Sequence, residues 1–467
     1  MYIPLFLSFL LTCNSFPLSN PPKVTEIFSI KTHKVHDRSG NKVDLHLYDR
    51  ISSIISFKGP NNEKIIIAGL GARDYSPSYP YSDSYFEKNC IIRSTDNGKT
   101  WISLTPKGKT DRKVYGLSTN DKGVVIAVTG DRGHSCILSS IDYGLNWKVV
   151  LSNSQLKNTK NAFYNSYYSK SRNLFLIPTG DGTYITKDGI HFNKGEYDIP
   201  LARNGYVFEE LDQIWIASQW GNNFLSVLKS GQHKYNKVLT SIDKKQFFST
   251  VKYLGKGIFL AISYQYPGST YKEYLAIKFE RKNNILYLTI PNHNLKEGLV
   301  TMDIKSNSEL YSTIQNGLEL KVVDKNTIKM NQKGINIIKN NIKIVIRIYT
   351  DDKMKKGTLY RSTDFGKNWK SVELRAATFN LGVIWSRDII HIGNGVVYIN
   401  FPGDENKAEN ECAMFIKSED YGKTWKITDD ILGKGNEKIN AIYRSILHVD
   451  GSILAGAQNY ARILRLE

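Results

Sequence analysis

One eight-residue phrase occurs four times in this chain: Ser94-Thr95-Asp96-Asn97-Gly98-Lys99-Thr100-Trp101, then Ser140 to Trp147, Ser362 to Trp369 and Ser418 to Trp425. The shared pattern, Ser-x-Asp-x-Gly-x-x-Trp, has the chemistry of a hairpin turn. Ser and Asp side chains hydrogen-bond the backbone of their own turn. Gly accepts the positive φ that closes it, and the Trp ring packs beneath. One such match would say little; four in register describe a chain built from repeated units.

The spacing of the phrases counts the units. Asp142 follows Asp96 by 46 residues, and 46 further on lies Asp188 in a degraded copy, Thr186 to Phe192. A fainter echo runs from Lys229 to Tyr235. Apolar runs precede the turns at 65–70, 124–129, 174–178, 214–218, 258–263, 396–401 and 452–457. Short strands with regular turn signals predict sheets, and a tandem array this long predicts a propeller or solenoid. The phrases resemble the Asp-box (BNR) repeats of sialidases, sortilin-type receptors and related β-propellers. That resemblance implies an all-β Asp-box β-propeller. Seven repeats favour seven blades, with six, the sialidase number, as the alternative. The last repeat stops at Glu467 without a fourth strand, and 24–31 is expected to supply it. Closure removes the exposed sheet edges that invite aggregation.

The period fails once, between Ser263 and Gly357. The segments Leu288 to Leu299 and Asn316 to Ile328 lie there and resemble a small all-β module of phage tail and bacterial surface proteins, with Leu299 in place of that module's usual Asp. The expected organisation is therefore a signal peptide over 1–20, blades one to five over 21–271, an inserted β module over 272–352 in blade five, and the rest of the propeller with ring closure over 353–467.

Composition narrows the partners. Hydrophobic residues make up 41% of the 467, with 28 Tyr and 19 Phe, enough for an all-β core. The formal net charge of +19 favours a glycan or other anionic surface ligand. No compact Lys/Arg run carries a nucleic-acid signature, so no nucleic acid is expected. Residues 1–20 read as a short apolar run followed by polar residues and prolines, the pattern of a secretory signal. No transmembrane segment is expected after it, and the location is read as secreted or cell-surface, a virion tail being one version. Cys90 and Cys136 each stand four residues before a box Ser, on equivalent strands too far apart to bridge, and are expected as buried thiols. No metal shell or cofactor loop is found, the His33-x-x-His36 pair included.

In an up-and-down blade the boxes join strands three and four, which makes them scaffold: Asp96, Trp101, Asp142, Trp147, Asp364, Trp369, Asp420 and Trp425. Binding is then sought on the opposite face. Arg73, Tyr75, Tyr79 and Tyr81 map there from blade one, Asp131, Arg132 and His134 from blade two, Trp220 from blade four, Tyr264 and Tyr266 from blade five, and Asp404 with Glu405 from blade six. Aromatic rings with a few charges suit sugar recognition.

Resemblance to the sialidases extends to single residues. Arg50 falls where that family grips the sialic-acid carboxylate, Arg73 fits its second Arg, Asp83 its acid/base and Tyr443 its nucleophile. The pattern also breaks. Ile51-Ser52 follows Arg50 instead of Ile-Pro, 222–224 lack the next expected Arg, 407–412 lack another, and Gln458 replaces a supporting Glu. Three functions follow: a surface propeller recognising glycans, with the insert extending the surface or tethering an assembly; a sialidase-like hydrolase with a diverged site, if Asp83, Tyr443 and Arg50 act together; or a peptide-binding sorting and assembly factor. The chain leans away from catalysis.

Overall fold

The computed structural model describes residues 23–43, 45, 48–72, 91–104, 114–129, 136–152, 165–179, 182–197, 204–217, 224–240, 246–265, 271–275, 278–282, 285–289, 299–304, 320–324, 327–331, 344–349, 358–372, 388–401, 414–427, 442–457 and 461–467. Seven antiparallel sheets follow one another as blades. Their innermost strands are Tyr48–Lys58, Val114–Thr119, Tyr167–Ser169, Asn204–Phe208, Gln246–Tyr253, Ile389–Gly393 and Ile442–Leu447. The second strands are the apolar runs of the sequence, and Val125–Thr129, Leu174–Thr179 and Ile453–Ala457 are buried at every position. A blade is covered on both faces by its neighbours, so these strands read as unbroken apolar runs rather than alternating ones.

The ring closes as expected. Val24–Phe28 lies beside Arg462–Leu466 as the outer strand of blade seven, with Val24 opposite Leu466. Reciprocal backbone bonds between Lys23 and Glu467 continue that pairing. Blade one departs from four strands. A hairpin of Val35–His36 and Lys42–Val43 pairs in parallel with its outer strand, His36 opposite Ile102, making a six-stranded sheet. Arg38 of that hairpin donates to Asn146 Oδ1 in the blade-two box at 2.6 Å.

All four boxes share one set of bonds. In blade two, Ser140 Oγ donates to Asp142 Oδ1 at 2.8 Å and accepts from Gly144 N at 2.9 Å. Asn146 N donates to Asp142 Oδ1 at 2.7 Å, and Trp147 Nε1 donates back to Gly144 O at 2.9 Å. The box Gly φ values are +89° (Gly98), +78° (Gly144), +79° (Gly366) and +76° (Gly422). The box also joins blades, a role its turn chemistry does not reveal. A Cβ on Gly366 would lie 2.6 Å from Trp215 of blade four, one on Gly422 2.8 Å from Leu260 of blade five, and one on Gly98 2.7 Å from Ile27 of the closing strand. In three boxes an aromatic stands before the Gly at positive φ: Tyr143, Phe365 and Tyr421. Each donates its backbone N–H to a Gly of the first turn in its own blade, Gly123, Gly257 and Gly395, at 2.8–2.9 Å. Arg93 and Arg361 then reach from the preceding blade to the carbonyls of Tyr143 and Tyr421 at 3.0 and 2.9 Å.

Blade five is interrupted between its second and third strands, Phe259–Gln265 and Thr358–Ser362, which still pair with Ser263 opposite Thr358. Seven strands between Tyr271 and Tyr349 form two separate sheets of three and four strands.

Candidate binding face and inner-strand polar groups

Strand order decides which side of the ring carries what. The boxes share their side with the turns joining first and second strands. Connections from second to third strands, and from each outer strand to the next inner one, leave from the other side. Of the residues expected to bind or react there, Arg73, Tyr75, Tyr79, Tyr81, Asp83, Asp131, Arg132, His134, Trp220, Tyr266, Asp404 and Glu405 lie outside the described residues. Tyr264 falls in the second strand of blade five, opposite Phe247. Tyr443 occupies a bulge of the innermost strand of blade seven, where the register skips from Ile442 to Arg444. Tyr115 and Ser249 occupy like bulges in blades two and five, so the Tyr443 position belongs to the blade pattern itself.

Two of the candidate arginines are described, and both stand on innermost strands. Arg50 is 5% exposed and its Nε lies 3.1 Å from where a Cβ on Gly71 would stand, so only Gly leaves room for it on the paired strand. Arg444 Nη1 lies 3.3 Å from Asp388 Oδ1, with both side chains largely buried. Asp388 Oδ2 also accepts from Ser445 N at 2.8 Å. Arg203 and Arg387 lie outside the described residues.

The innermost strands also carry polar residues that no motif announces. Lys252 of blade five is partly buried. Burial pushes its ammonium below the usual lysine range, against the pull of Asp388 and Glu210. Burial likewise lowers His391 of blade six, with Lys252 adding to the effect, and raises the Tyr167 hydroxyl of blade three. The only sequence signal was a polar residue inside an apolar strand, as in Val251-Lys252-Tyr253 and Ile390-His391-Ile392. Glu209 and Glu210 form a 3-10 turn with Leu211, and the Glu209 carboxylate accepts from Ser171 N of blade three at 2.9 Å. His33 is packed against Phe28 and accepts from Ser29 N at 3.1 Å. Cys136 is a buried free thiol, and Cys90 lies outside the described residues. Among the described residues no three His, Cys, Asp or Glu side chains gather as a metal shell, and no helix is long and apolar enough to cross a membrane.

Known proteins resemble the chain in sequence locally and in fold throughout. The BNR-Asp box repeat family matches residues 359–372, the third strand and box of blade five. The uncharacterized protein YkuO of Bacillus subtilis (strain 168) is 38% identical over 72 residues, which is 15% of this chain and 22% of that protein. Among solved structures, YCF48 bound to D1 peptide superposes with a TM-score of 0.50 at 11% identity, over 96% of both chains. YCF48 from Cyanidioschyzon merolae gives 0.46 at 11% identity, over 90% of this chain and 96% of that one. The closed ring and the repeated turns make the chain a seven-bladed β-propeller with Asp-box turns, one of which matches the BNR-Asp box repeat.

Proposed function

We propose that this propeller is a binding module that engages an extended peptide segment of a partner protein, on the face opposite the Asp boxes, as a sorting or assembly factor. The observation that carries this reading is the state of the arginines. A sialoside carboxylate needs a clamp of guanidinium groups aimed at the ligand, whereas Arg50 is packed over Gly71 and Arg444 is bound to Asp388. The full-length likeness to a propeller solved with a peptide favours the same class of partner. Glycan recognition on that face is the second reading, favoured by the aromatic sequence around Tyr75, Tyr79, Tyr81 and Trp220. Secretion through residues 1–20 belongs to either reading. The phage-tail version rests only on the partial motif of the insert.

The test presents wild type, Tyr79→Ala and Trp220→Ala to a peptide library and a glycan array, beside a fluorogenic sialoside assay. Expected are peptide binding, a loss of about tenfold or more in the aromatic variants, and no sialoside turnover. Binding to glycans alone selects the second reading. Turnover that Asp83→Asn abolishes replaces both with a hydrolase.

A further inference from the structure

The Asp-box turns are not alike at their exposed positions. The residue after the box Ser is Thr95, Thr363 and Glu419 in blades one, five and six, but Ile141 in blade two. The residue after the box Gly is Lys99, Lys367 and Lys423 in those blades, but Leu145 in blade two and Ile190 in the shortened turn of blade three. Turn bonds fix that equivalence: Leu145 N, Ile190 N and Lys423 N each donate to Oδ1 of their own box Asp at 2.8–3.1 Å. Ile141 and Ile190 are 57% and 55% exposed. They stand at one seam, because a Cβ on Gly189, the neighbour of Ile190, would lie 3.6 Å from the Ile141 side chain. Val149, near the start of blade two's outer strand, and Phe365, in the box of blade five, are exposed on the same side. Every turn on this side of the ring is among the described residues.

A rim of lysines surrounds these tips. Outer strands leave the boxes on this side, and Lys148, Lys194, Lys237, Lys370 and Lys426 stand first or second in those of blades two to six. Lys23 immediately precedes the outer strand of blade seven. All are exposed. No outer strand has an acid among its first two residues. Asp142 and Asp188, in the turns that carry the apolar tips, accept backbone N–H groups of those same turns from Asn146 and His191. Lysine on an edge strand also discourages strand pairing, but that role does not call for isoleucine at the turn tips. Apolar tips ringed by lysine match a lipid surface with anionic headgroups, where the tips enter the acyl boundary and the ammonium groups meet phosphates. An acidic protein or a nucleic acid would satisfy the lysines and offer nothing apolar to Ile141 and Ile190.

We propose that the Asp-box side of the ring docks on an anionic membrane surface, with Ile141, Leu145 and Ile190 entering it and the rim lysines holding it. The opposite face is then left to its own partner, and the docking does not depend on whether that partner is a peptide or a glycan.

The test is flotation of the full chain with vesicles of phosphatidylcholine, alone and with added phosphatidylglycerol, for wild type, Ile141→Ser/Ile190→Ser and Lys370→Gln/Lys426→Gln. Wild type is expected to float with the anionic vesicles and scarcely with the neutral ones. Each double variant should partition roughly tenfold less. All four positions are exposed, so both variants should keep the wild-type melting temperature. Acetylation of wild-type lysines, read by mass spectrometry, needs no variant: anionic vesicles should protect Lys148, Lys370 and Lys426. Absence of flotation overturns the docking, and so does flotation that is unchanged in Ile141→Ser/Ile190→Ser. Rim lysines that label equally with and without vesicles overturn it as well, since another face would then meet the lipid. A wild type that is dimeric by light scattering, with a monomeric Ile141→Ser/Ile190→Ser, gives the tips to a second copy instead. Binding to polyglutamate as tight as to the vesicles, and unchanged in the isoleucine variant, gives the rim to an acidic protein; either result removes the membrane from the account.

Discussion

Gly366 carries a φ of +79° and has Trp215 of the preceding blade 2.6 Å from the place of a Cβ, whereas Gly231, in the faint fourth repeat, carries +71° with nothing within 4 Å. The pair separates two reasons for a box glycine, backbone conformation and closeness to the neighbouring blade. Gly231→Ala should cost only the conformational part, about 1 kcal/mol. Gly366→Ala adds overpacking against an indole that is 1% exposed, and should cost about 2–4 kcal/mol in all. Urea unfolding of both variants checks this, and equal midpoints would remove the blade contact from the account. The box carboxylates show the same local strength. At Asp364 the Asn368 backbone N–H is the largest influence, followed by the Ser362 hydroxyl, and the carboxyl is held down to about 2. Turn, glycine and Trp roles were legible in the phrase because each bond spans four residues or fewer. Aromatics on the first-turn glycines were not, because Gly257 and Phe365 are brought together across the whole insert.

At the scale of the strand, Val24–Phe28 does more than complete a sheet. Ile27 O accepts from Trp101 Nε1 at 3.1 Å, and the Ile27 side chain lies against Gly98, so one short strand ties blade seven to the box of blade one. Deleting 24–28 removes that bond and leaves Arg462–Leu466 as an unpaired edge. The expected result is loss of a single cooperative melt together with association on gel filtration. A monomer with unchanged cooperativity would show that the ring does not need the strand. The hairpin at 35–43 escaped the sequence reading because its strands of two residues carry no period. Its pairing with Ile102 is decided by the position of blade one's edge.

For the molecule as a whole, the seam between blades seven and one is polar, with His448 and Arg465 buried in it and Asp450 at its exposed rim. His448 Nε2 lies 2.7 Å from Asn97 Oδ1, Nδ1 contacts Ser56 Oγ, and Asp450 lies 3.5 Å from both His448 and Lys64. Arg465 Nη2 donates to Asn97 O at 3.0 Å and to Asn97 Oδ1 at 2.6 Å. Burial above all, opposed by Asp450 and reinforced by Arg465 and Lys64, pushes His448 down to about 4. Between the ordinary value of 6.5 and about 4 the unfolded chain binds a proton that the folded chain refuses. Stability conferred by the neutral imidazole is thus full above pH 6.5 and declines on acidification to about pH 4, by about 2–3 kcal/mol. Asp450, which burial would raise but bonds from Ser452 with the nearby His448 and Arg465 hold low, adds a loss of the same sign in more acid solution. Denaturant unfolding from pH 7.5 to 4 should show this slope, and His448→Gln should flatten it; an equal slope in the variant would place the acid sensitivity elsewhere. The insert offers a second test at this scale. Joining Gln265 to Thr358 through a short glycine linker preserves the Ser263–Thr358 pairing and shortens a loop, which costs little. A melt within a few degrees of wild type is expected, and a collapsed one would make the insert part of the propeller's core.

The sequence by itself determined the repeat and the strand that closes the ring, and it favoured seven blades over six. Each depends on turn chemistry and apolar runs that act within a single repeat, and the four strong copies in register carried them. Tertiary structure alone decided what the arginines and inner-strand polar residues face. Arg50 lies over Gly71, Arg444 on Asp388, and Lys252 between blades four and six. Those partners are set by which strands the ring brings to its axis, and residues from blades three to seven, nearly three hundred apart along the chain, share no local pattern that could announce them.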